Sequence, residues 1–426
     1  MNTPLNLAIC GCGSRARTYS KIAMSLNGQF KITAGADPIA SRVKDIANIS
    51  NNLNFQHFAS AEDILNQPKI ADVMLIATQD QLHFGPAKEA LKKGYHILLE
   101  KPAAQNIKEI RKLALTAKKH DRKIILCFVL RYTRFYSEVK KLVDSNKLGR
   151  IISMRAHEGV EAFHQAHSYV RGHWAKSAES TPMIIAKCCH DTDLISWLMN
   201  SRCKSVSSMG KLSYFTPENA PDGATKRCTD GCPVAETCLY SALRYTQDKK
   251  NWLNMVYPDP TKERTTDEVI NWLQSSKWGR CVYHADNDVP DHQQVIMEFE
   301  NGSTASLSMT AFDCGRTIEI YGTNASLRGG DAIKQEFGCD IVIRDHHNGE
   351  LEKIDLNNKD DQEKSEYAGH GGGDYGLIKA LPGIIADSNR SNSSLIENSI
   401  EGHLIGFSAE KSRLQGGALI NLTSEL

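Results

Sequence analysis

The sequence predicts an α/β protein in two parts. A doubly wound parallel sheet comes first, and an α+β region on a large, open, mostly antiparallel sheet follows. Three observations lead there. Short apolar runs alternate with amphipathic stretches over roughly the first 125 residues. A glycine-rich turn joins the first apolar run to the first helical stretch. Later runs, at Gln294 to Phe299, Thr304 to Met309 and Thr317 to Tyr321, alternate apolar and polar residues with a period near two, as half-covered antiparallel strands do.

In order, Leu5 to Cys10 reads as a buried strand and a helix begins near Arg15. Phe30 to Ala36 is a strand and Ala40 to Ile49 a helix. Val73 to Ala77 is an apolar strand between Asp72 and Thr78. Pro86 to Lys93 is a helix closed by Gly94, His96 to Leu99 a strand, Ile107 to His120 a helix and Lys123 to Val129 a strand. Such alternation implies crossover connections and parallel pairing. Beyond it, Phe135 to Ser145 is helical and ends at Gly149, and Ile151 to His157 is a strand. His190 to Met199 is a helix with Leu194, Trp197 and Leu198 on one face. Phe215 to Tyr240 and Asp345 to Gly373 read as loops. The division expected is 1–128 and 129–426, with a cysteine-bearing insertion at about 215–285.

A chain of 426 residues exceeds one ordinary core. Its net charge of +1 creates no global field for nucleic acid or anionic lipid. Neither a basic-then-apolar leader nor a bilayer-length apolar run is present. The expectation is a cytoplasmic protein with neither a nucleic-acid nor a membrane partner. Twelve cysteines in such a chain suggest thiols or metal rather than disulfides.

Gly11-Cys12-Gly13-Ser14-Arg15-Ala16 has the form G-x-G-x-x-A between a strand and a helix. Gly11 permits the tight turn, Gly13 admits a pyrophosphate against the backbone, and Ala16 allows close helix–strand packing. The helix N-terminus offers N–H groups and partial positive charge to phosphates. Asp37 ends the second strand, where an acid receives the adenosine ribose hydroxyls. These features describe a Rossmann dinucleotide site. Asp37 would repel a 2′-phosphate, favouring NAD, with NADP as the alternative because Arg42 lies close by.

Ala36-Asp37-Pro38, Ile76-Ala77-Thr78 and the strand-ending Glu100-Lys101-Pro102 follow in order. Arg131-Tyr132 leads through Leu148-Gly149-Arg150-Ile151 to Cys189-His190-Asp191-Thr192-Asp193-Leu194 and Trp197. This series resembles the Gfo/Idh/MocA family of sugar and inositol oxidoreductases. The resemblance implies a Rossmann domain, a C-terminal α/β domain whose open sheet packs on another subunit, and a carbohydrate substrate between them. It implies a homo-oligomer, dimer or tetramer. By the same resemblance Lys101 is the cationic donor beside the nicotinamide, with Pro102 aiming it. His190 is the general base, and Asp193, one turn on, orients it or caps backbone. Many members carry an aspartate four residues before this histidine, where this chain has Ala186. The adjacent Lys187 becomes a candidate proton partner or substrate ligand.

The cofactor candidates are therefore Gly11, Gly13, Ser14, Arg15, Ala16, Asp37, Thr78, His83, Glu100 and Lys101. The substrate candidates are Lys101, Arg171, His173, Lys187 and His190, with Arg171 and His173 in the polar run from His167 through Tyr169 to Trp174. His370-Gly371-Gly372-Gly373-Asp374 resembles another site-facing loop of the family. Cys228, Cys232 and Cys238 cluster in the insertion and Cys281 follows. Four thiolates would suit a structural zinc. An iron–sulfur centre, a disulfide or plain thiols are the other readings. Two further activities stay open: glycoside cleavage through transient oxidation by bound NAD, and a non-catalytic dinucleotide-binding regulator.

Overall fold

The computed structural model describes residues 3–258, 263–356, 369–386 and 394–422. Its first layer runs β1 (Leu5–Cys10), α1 (Ser14–Ser25), β2 (Phe30–Ala36), α2 (Ala40–Ser50), β3 (Gln56–Phe58), α3 (Ala61–Asn66), β4 (Val73–Ile76), α4 (Phe84–Lys92), β5 (His96–Leu99), α5 (Ile107–Lys119) and β6 (Ile124–Leu126). All six strands pair in parallel, in the order β3-β2-β1-β4-β5-β6. The chain reverses direction between β1 and β4, and ligands of open α/β sheets bind at such a switch point. β1, β2 and β5 occupy the residues their apolar runs indicated. β6 is shorter than expected because Phe128 N turns back onto Leu126 O at 2.7 Å and one helical turn, Val129–Tyr132, follows. β3 and α3 are too short to carry a readable period.

The second part runs α6 (Arg134–Asp144), β7 (Ile151–Val160), α7 (Ala162–His164), α8 (Met183–Ala186), α9 (Cys189–Met199), β8 (Cys203–Lys211), α10 (Lys250–Val256), α11 (Thr266–Ser275), β9 (His292–Phe299), β10 (Thr304–Thr310), β11 (Cys314–Gly322), β12 (Ala325–Gly330), α12 (Asp331–Phe337), β13 (Ile341–Asp345) and β14 (Leu351–Ile354). α13 (Gly373–Ala386), α14 (Ile396–Leu414) and β15 (Ile420–Asn421) close it. Nine strands form one sheet, β14-β13-β12-β11-β7-β10-β9-β8-β15. Only β7 with β10 is parallel. One face buries Met154, Val295, Met297, Leu307, Ile318 and Ile320 with Leu194, Leu198, Leu404 and Ile405 of α9 and α14. On the opposite face Met209 and Ile296 stand 66% and 63% exposed. β14 falls in a stretch expected to be loop; residues 357–368 of that stretch lie outside the described residues. Among the described residues no helix is long and apolar enough to cross a membrane.

The end of the chain returns to the first sheet. Leu377, Ile378, Leu381 and Ile384 of α13 pack with Ile9, Tyr19 and Ile22. α14 lies against α9, β8 and α5. From α14, the buried His403 accepts the Ala103 N–H on Nε2 (3.1 Å) and donates from Nδ1 to Ser399 O (3.3 Å). This contact requires a neutral ring, and burial holds the His403 pKa down at about 4. The unfolded chain, with an ordinary histidine near 6.5, binds the proton first as pH falls. Stability is therefore complete above about pH 6.5 and declines towards pH 4, by about 3 kcal/mol from this group. Guanidinium denaturation at pH 7 and pH 4.5 should show that loss, and His403→Gln should flatten the slope. An unchanged slope in the variant refutes the assignment.

Candidate active site

The nucleotide cradle follows from the backbone. Gly11 has φ +86°, and a Cβ there would stand 2.7 Å from the backbone of Ala77 and Thr78, so only glycine fits where β1 passes the end of β4. A Cβ on Gly13 would meet nothing within 4 Å, which leaves the surface above it open. Gly13 caps α1 without a side chain, and no acid occupies the first turn, so the positive helix end faces outward uncountered. Ala16 is fully buried. The Asp37 carboxylate accepts from Cys12 N (2.9 Å) and Ile39 N (2.8 Å), which pins it at the end of β2. These groups fit a dinucleotide pyrophosphate and ribose.

Several expected cofactor contacts have other partners. Arg15 is not left for phosphate. Its guanidinium donates to Glu100 Oε1 (2.8 Å) and to both carboxylate oxygens of Asp374 (2.6 and 3.1 Å), and it also meets Tyr19. Glu100 accepts from Arg15, Tyr19 Oη (2.8 Å) and the Lys101 amide (3.0 Å). A clasp thus ties the glycine turn, the end of β5 and the start of α13. His83 donates from Nδ1 to Pro102 O (2.7 Å), with Nε2 facing Thr78 O at 3.2 Å, so it braces two turns rather than reaching outward. Thr78 Oγ1 is buried and meets no hydrogen-bond partner among the described residues.

Lys101 stands where β5 leaves the sheet, on the same C-terminal edge as the cradle. Its Nζ donates to Ala186 O (2.9 Å) and sits 5.9 Å from the centre of the Trp174 ring. Trp174 is held by Nε1 donating to Asp80 (2.9 Å), which also accepts from Thr181 Oγ1 (2.9 Å). The position where an aspartate was anticipated therefore serves through its backbone carbonyl. His190 packs edge-on against Phe128 (5.7 Å) and lies 6.4 Å from the His370 ring. Its Nδ1 is buried and unpartnered among the described residues. Burial, with Lys101 and Arg316 nearby, pushes the His190 pKa well below the usual histidine value, so its ring is neutral at pH 7.

Lys187 pairs with Glu158 Oε1 at 3.0 Å. Glu158 in turn meets Arg316 (2.6 Å), its cross-strand neighbour on β11, and Arg316 meets Asp191 (2.9 Å). Burial raises the Glu158 carboxyl; Arg316 opposes that, Asp191 adds to it and Lys187 opposes it again. His164, on α7, is pushed well below its usual value by burial and by Lys187, His167 and Lys101. Glu158, Asp191, Arg316 and His164 escaped the sequence reading. The available signal was a glutamate on the inward-facing parity of a buried strand, one residue past the expected strand end.

Three expectations are corrected by geometry. Asp193 does not orient His190: both its oxygens are taken by Arg131, at 2.6 and 2.7 Å. Arg171 lies 0% exposed inside the cysteine-bearing insertion, donating to Arg280 O and Tyr240 O (2.6 Å each). His173 is exposed and meets Lys277 Nζ at 3.4 Å. The cysteines also differ from the zinc expectation: among the described residues no group of three or more His, Cys, Asp or Glu side chains could hold a metal ion.

Comparison with known proteins bears on the family and the fold. Residues 5–128 match the model of an oxidoreductase family with an NAD-binding Rossmann fold. Residues 140–407 match that of the same family's C-terminal alpha/beta domain. The chain is 23% identical over 345 residues to the oxidoreductase YteT of Bacillus subtilis, covering 76% of this chain and 77% of that protein. It is 27% identical over 207 residues to inositol 2-dehydrogenase of Corynebacterium glutamicum, covering 48% of this chain and 57% of that enzyme. Its fold superposes on scyllo-inositol dehydrogenase of Lactobacillus casei, solved with NAD(H) and scyllo-inositol, with a TM-score of 0.64 at 15% identity and 99% coverage of both chains.

Proposed function

This chain belongs to the Gfo/Idh/MocA oxidoreductase family, and from that premise we propose that it transfers a hydride between NAD and a hydroxyl-bearing carbon of a sugar, sugar derivative or cyclitol. One observation carries the reading: the cradle at Gly11–Gly13 and the Lys101–His190 locality share the C-terminal edge of the first sheet. The bound nicotinamide supplies the hydride acceptor. Lys101 Nζ donates a hydrogen bond to the substrate oxygen and stabilises the negative charge that grows there. His190 Nδ1, neutral and unpartnered, accepts the hydroxyl proton. Lys187, held by Glu158, and Asp191, held by Arg316, line the locality and orient the remaining hydroxyls. Trp174 closes the side of Lys101 against water.

Incubation with NAD and a panel of cyclitols, aldoses and uronic acids should accumulate reduced cofactor with at least one of them. Cleavage of a glycoside without net reduced cofactor would instead identify redox-assisted elimination. No turnover across the panel defeats the dehydrogenase reading. The acid limb of kcat/KM should lie below pH 6.5, because His190 must be unprotonated and its environment holds its pKa down. A limb above pH 7 that His190→Asn leaves in place excludes this base.

NAD preference rests on Asp37, whose charge would face a 2′-phosphate. Asp37→Asn keeps an acceptor for Cys12 N and should shift the NADP to NAD ratio of kcat/KM by about tenfold towards NADP. An unaltered ratio rules out Asp37 as the discriminator. Assembly as a homo-oligomer through the sheet face bearing Met209 and Ile296 belongs to the same proposal, and light scattering of the purified chain tests it.

A further inference from the structure

Oxidation of a hydroxyl-bearing carbon sends a hydride to the nicotinamide and leaves one proton on His190. Burial, and then Lys101, Arg316, His370 and Lys187, all disfavour the charged form of that ring. The proton must therefore be handed on in every turnover. Among the described residues, the rings packed against His190 are Phe128 and His370, and of these only His370 can take a proton. Glu158 and Asp191, the carboxylates of the locality, are buried and bound by Arg316, so neither hands a proton to water.

We propose that His370 relays this proton from His190 to solvent; the proposal rests on the dehydrogenase reading of the site. At a centre-to-centre distance of 6.4 Å the two rings cannot bond directly. One water, spanning about 5 Å between its partners, fits the gap. The substrate O–H bond breaks as an N–H bond forms on His190. The proton then crosses the water to His370 Nε2 and leaves from there to bulk solvent. The hydride carries both electrons to the cofactor, so each substrate oxidised releases one proton.

Three features suit His370 to this task. Its side chain is 43% exposed, so it meets both the buried locality and water. Its Nδ1 donates to Asp374 Oδ2 (3.0 Å), which fixes the tautomer and leaves Nε2 as the acceptor. Asp374 can hold that bond at any working pH. Burial would raise its carboxyl, but the bonds from His370 and Arg15 outweigh burial and hold its pKa at about 2. Finally, His370 lies in the left-handed region at φ +51°, ahead of Gly371 at +61° and Gly372 at +80°. A non-glycine residue adopts that region rarely. Gly373, which packs directly on Val129 O, seats the loop beside the turn that carries Phe128.

The test uses the full chain with whichever substrate of the panel reduces NAD. His370→Asn and His370→Gly both tolerate the left-handed backbone. Each should lower kcat about 10- to 100-fold, with KM and NAD affinity within about threefold. Free imidazole should restore the glycine variant at least about fivefold, saturably, and leave wild type unchanged. The solvent isotope effect on kcat should rise in both variants, because proton departure becomes limiting. Unchanged kcat, or a loss that imidazole does not restore, overturns the relay while wild-type turnover keeps the dehydrogenase reading. A loss of NAD affinity would show a merely structural role through Asp374 and Arg15, and also overturns it. Nitrogen NMR of histidine-labelled protein gives a readout free of turnover. At about pH 8 the resonances lost in His370→Asn should show Nδ1 protonated and Nε2 bare. The opposite tautomer overturns the relay whatever the activity. No wild-type turnover across the panel defeats the dehydrogenase reading, and the relay with it.

Discussion

Replacing Lys101 by alanine should lower kcat by about 10²- to 10⁴-fold while leaving NAD affinity within about threefold. In the proposed reading the pyrophosphate meets the backbone from Gly11 to Arg15 at the end of β1, whereas Lys101 stands at the end of β5. The ammonium is directed by one bond, to Ala186 O at 2.9 Å, beside the Trp174 ring. Removing it takes away charge stabilisation that matters most in the transition state, so the loss should fall on kcat rather than on KM. Lys101→Arg should not restore the rate, because a planar fork cannot replace a compact charge at that carbonyl. Steady-state kinetics with calorimetry of NAD binding decides the matter. A rate close to wild type with cofactor bound would refute the role assigned to Lys101.

Breaking the Arg131–Asp193 pair should have the largest effect on stability. Both side chains are 1% exposed, and the carboxylate is gripped by two bonds of 2.6 and 2.7 Å. Arg131 also donates to Asn398 O (3.1 Å) and lies over the Trp197 ring (5.2 Å). Gly402 of α14 packs directly on the Asp193 backbone. One ion pair therefore joins the turn after β6, α9 and the first turn of α14. Arg131→Met strands a buried carboxylate, at about 3–5 kcal/mol, whereas Arg131→Met with Asp193→Leu should cost considerably less. Urea denaturation of the three proteins reads this out. A single variant within about 1 kcal/mol of wild type would falsify the idea that this pair holds the junction together.

The limits of sequence reading show at particular residues. The period of the first sheet was legible because each buried strand is a continuous apolar run between helices. The second sheet was only partly legible: β12 alternates within the short run Ala325–Gly330, and β14 is polar and largely exposed. Gly11, Gly13, Ala16 and Asp37 lie where the sequence placed them, at the turn after β1 and the end of β2, because those positions are set by local backbone. Arg15 read as a cofactor candidate, and its pairing with Asp374, 359 residues away in the chain, left no trace in the sequence. Lys187 looked free until the β7–β11 register brought Arg316 opposite Glu158 and beside it.

Sequence alone determined the fold class, the nucleotide turn and the strand-end lysine, since each depends on residues within a few positions of one another. Tertiary structure alone decided which charge pairs with which: Arg15 with Asp374, Lys187 with Glu158, Asp193 with Arg131. Ion pairing acts over a few ångströms in space, whatever the separation along the chain, so periodicity can assign a side chain to a face but not to a partner.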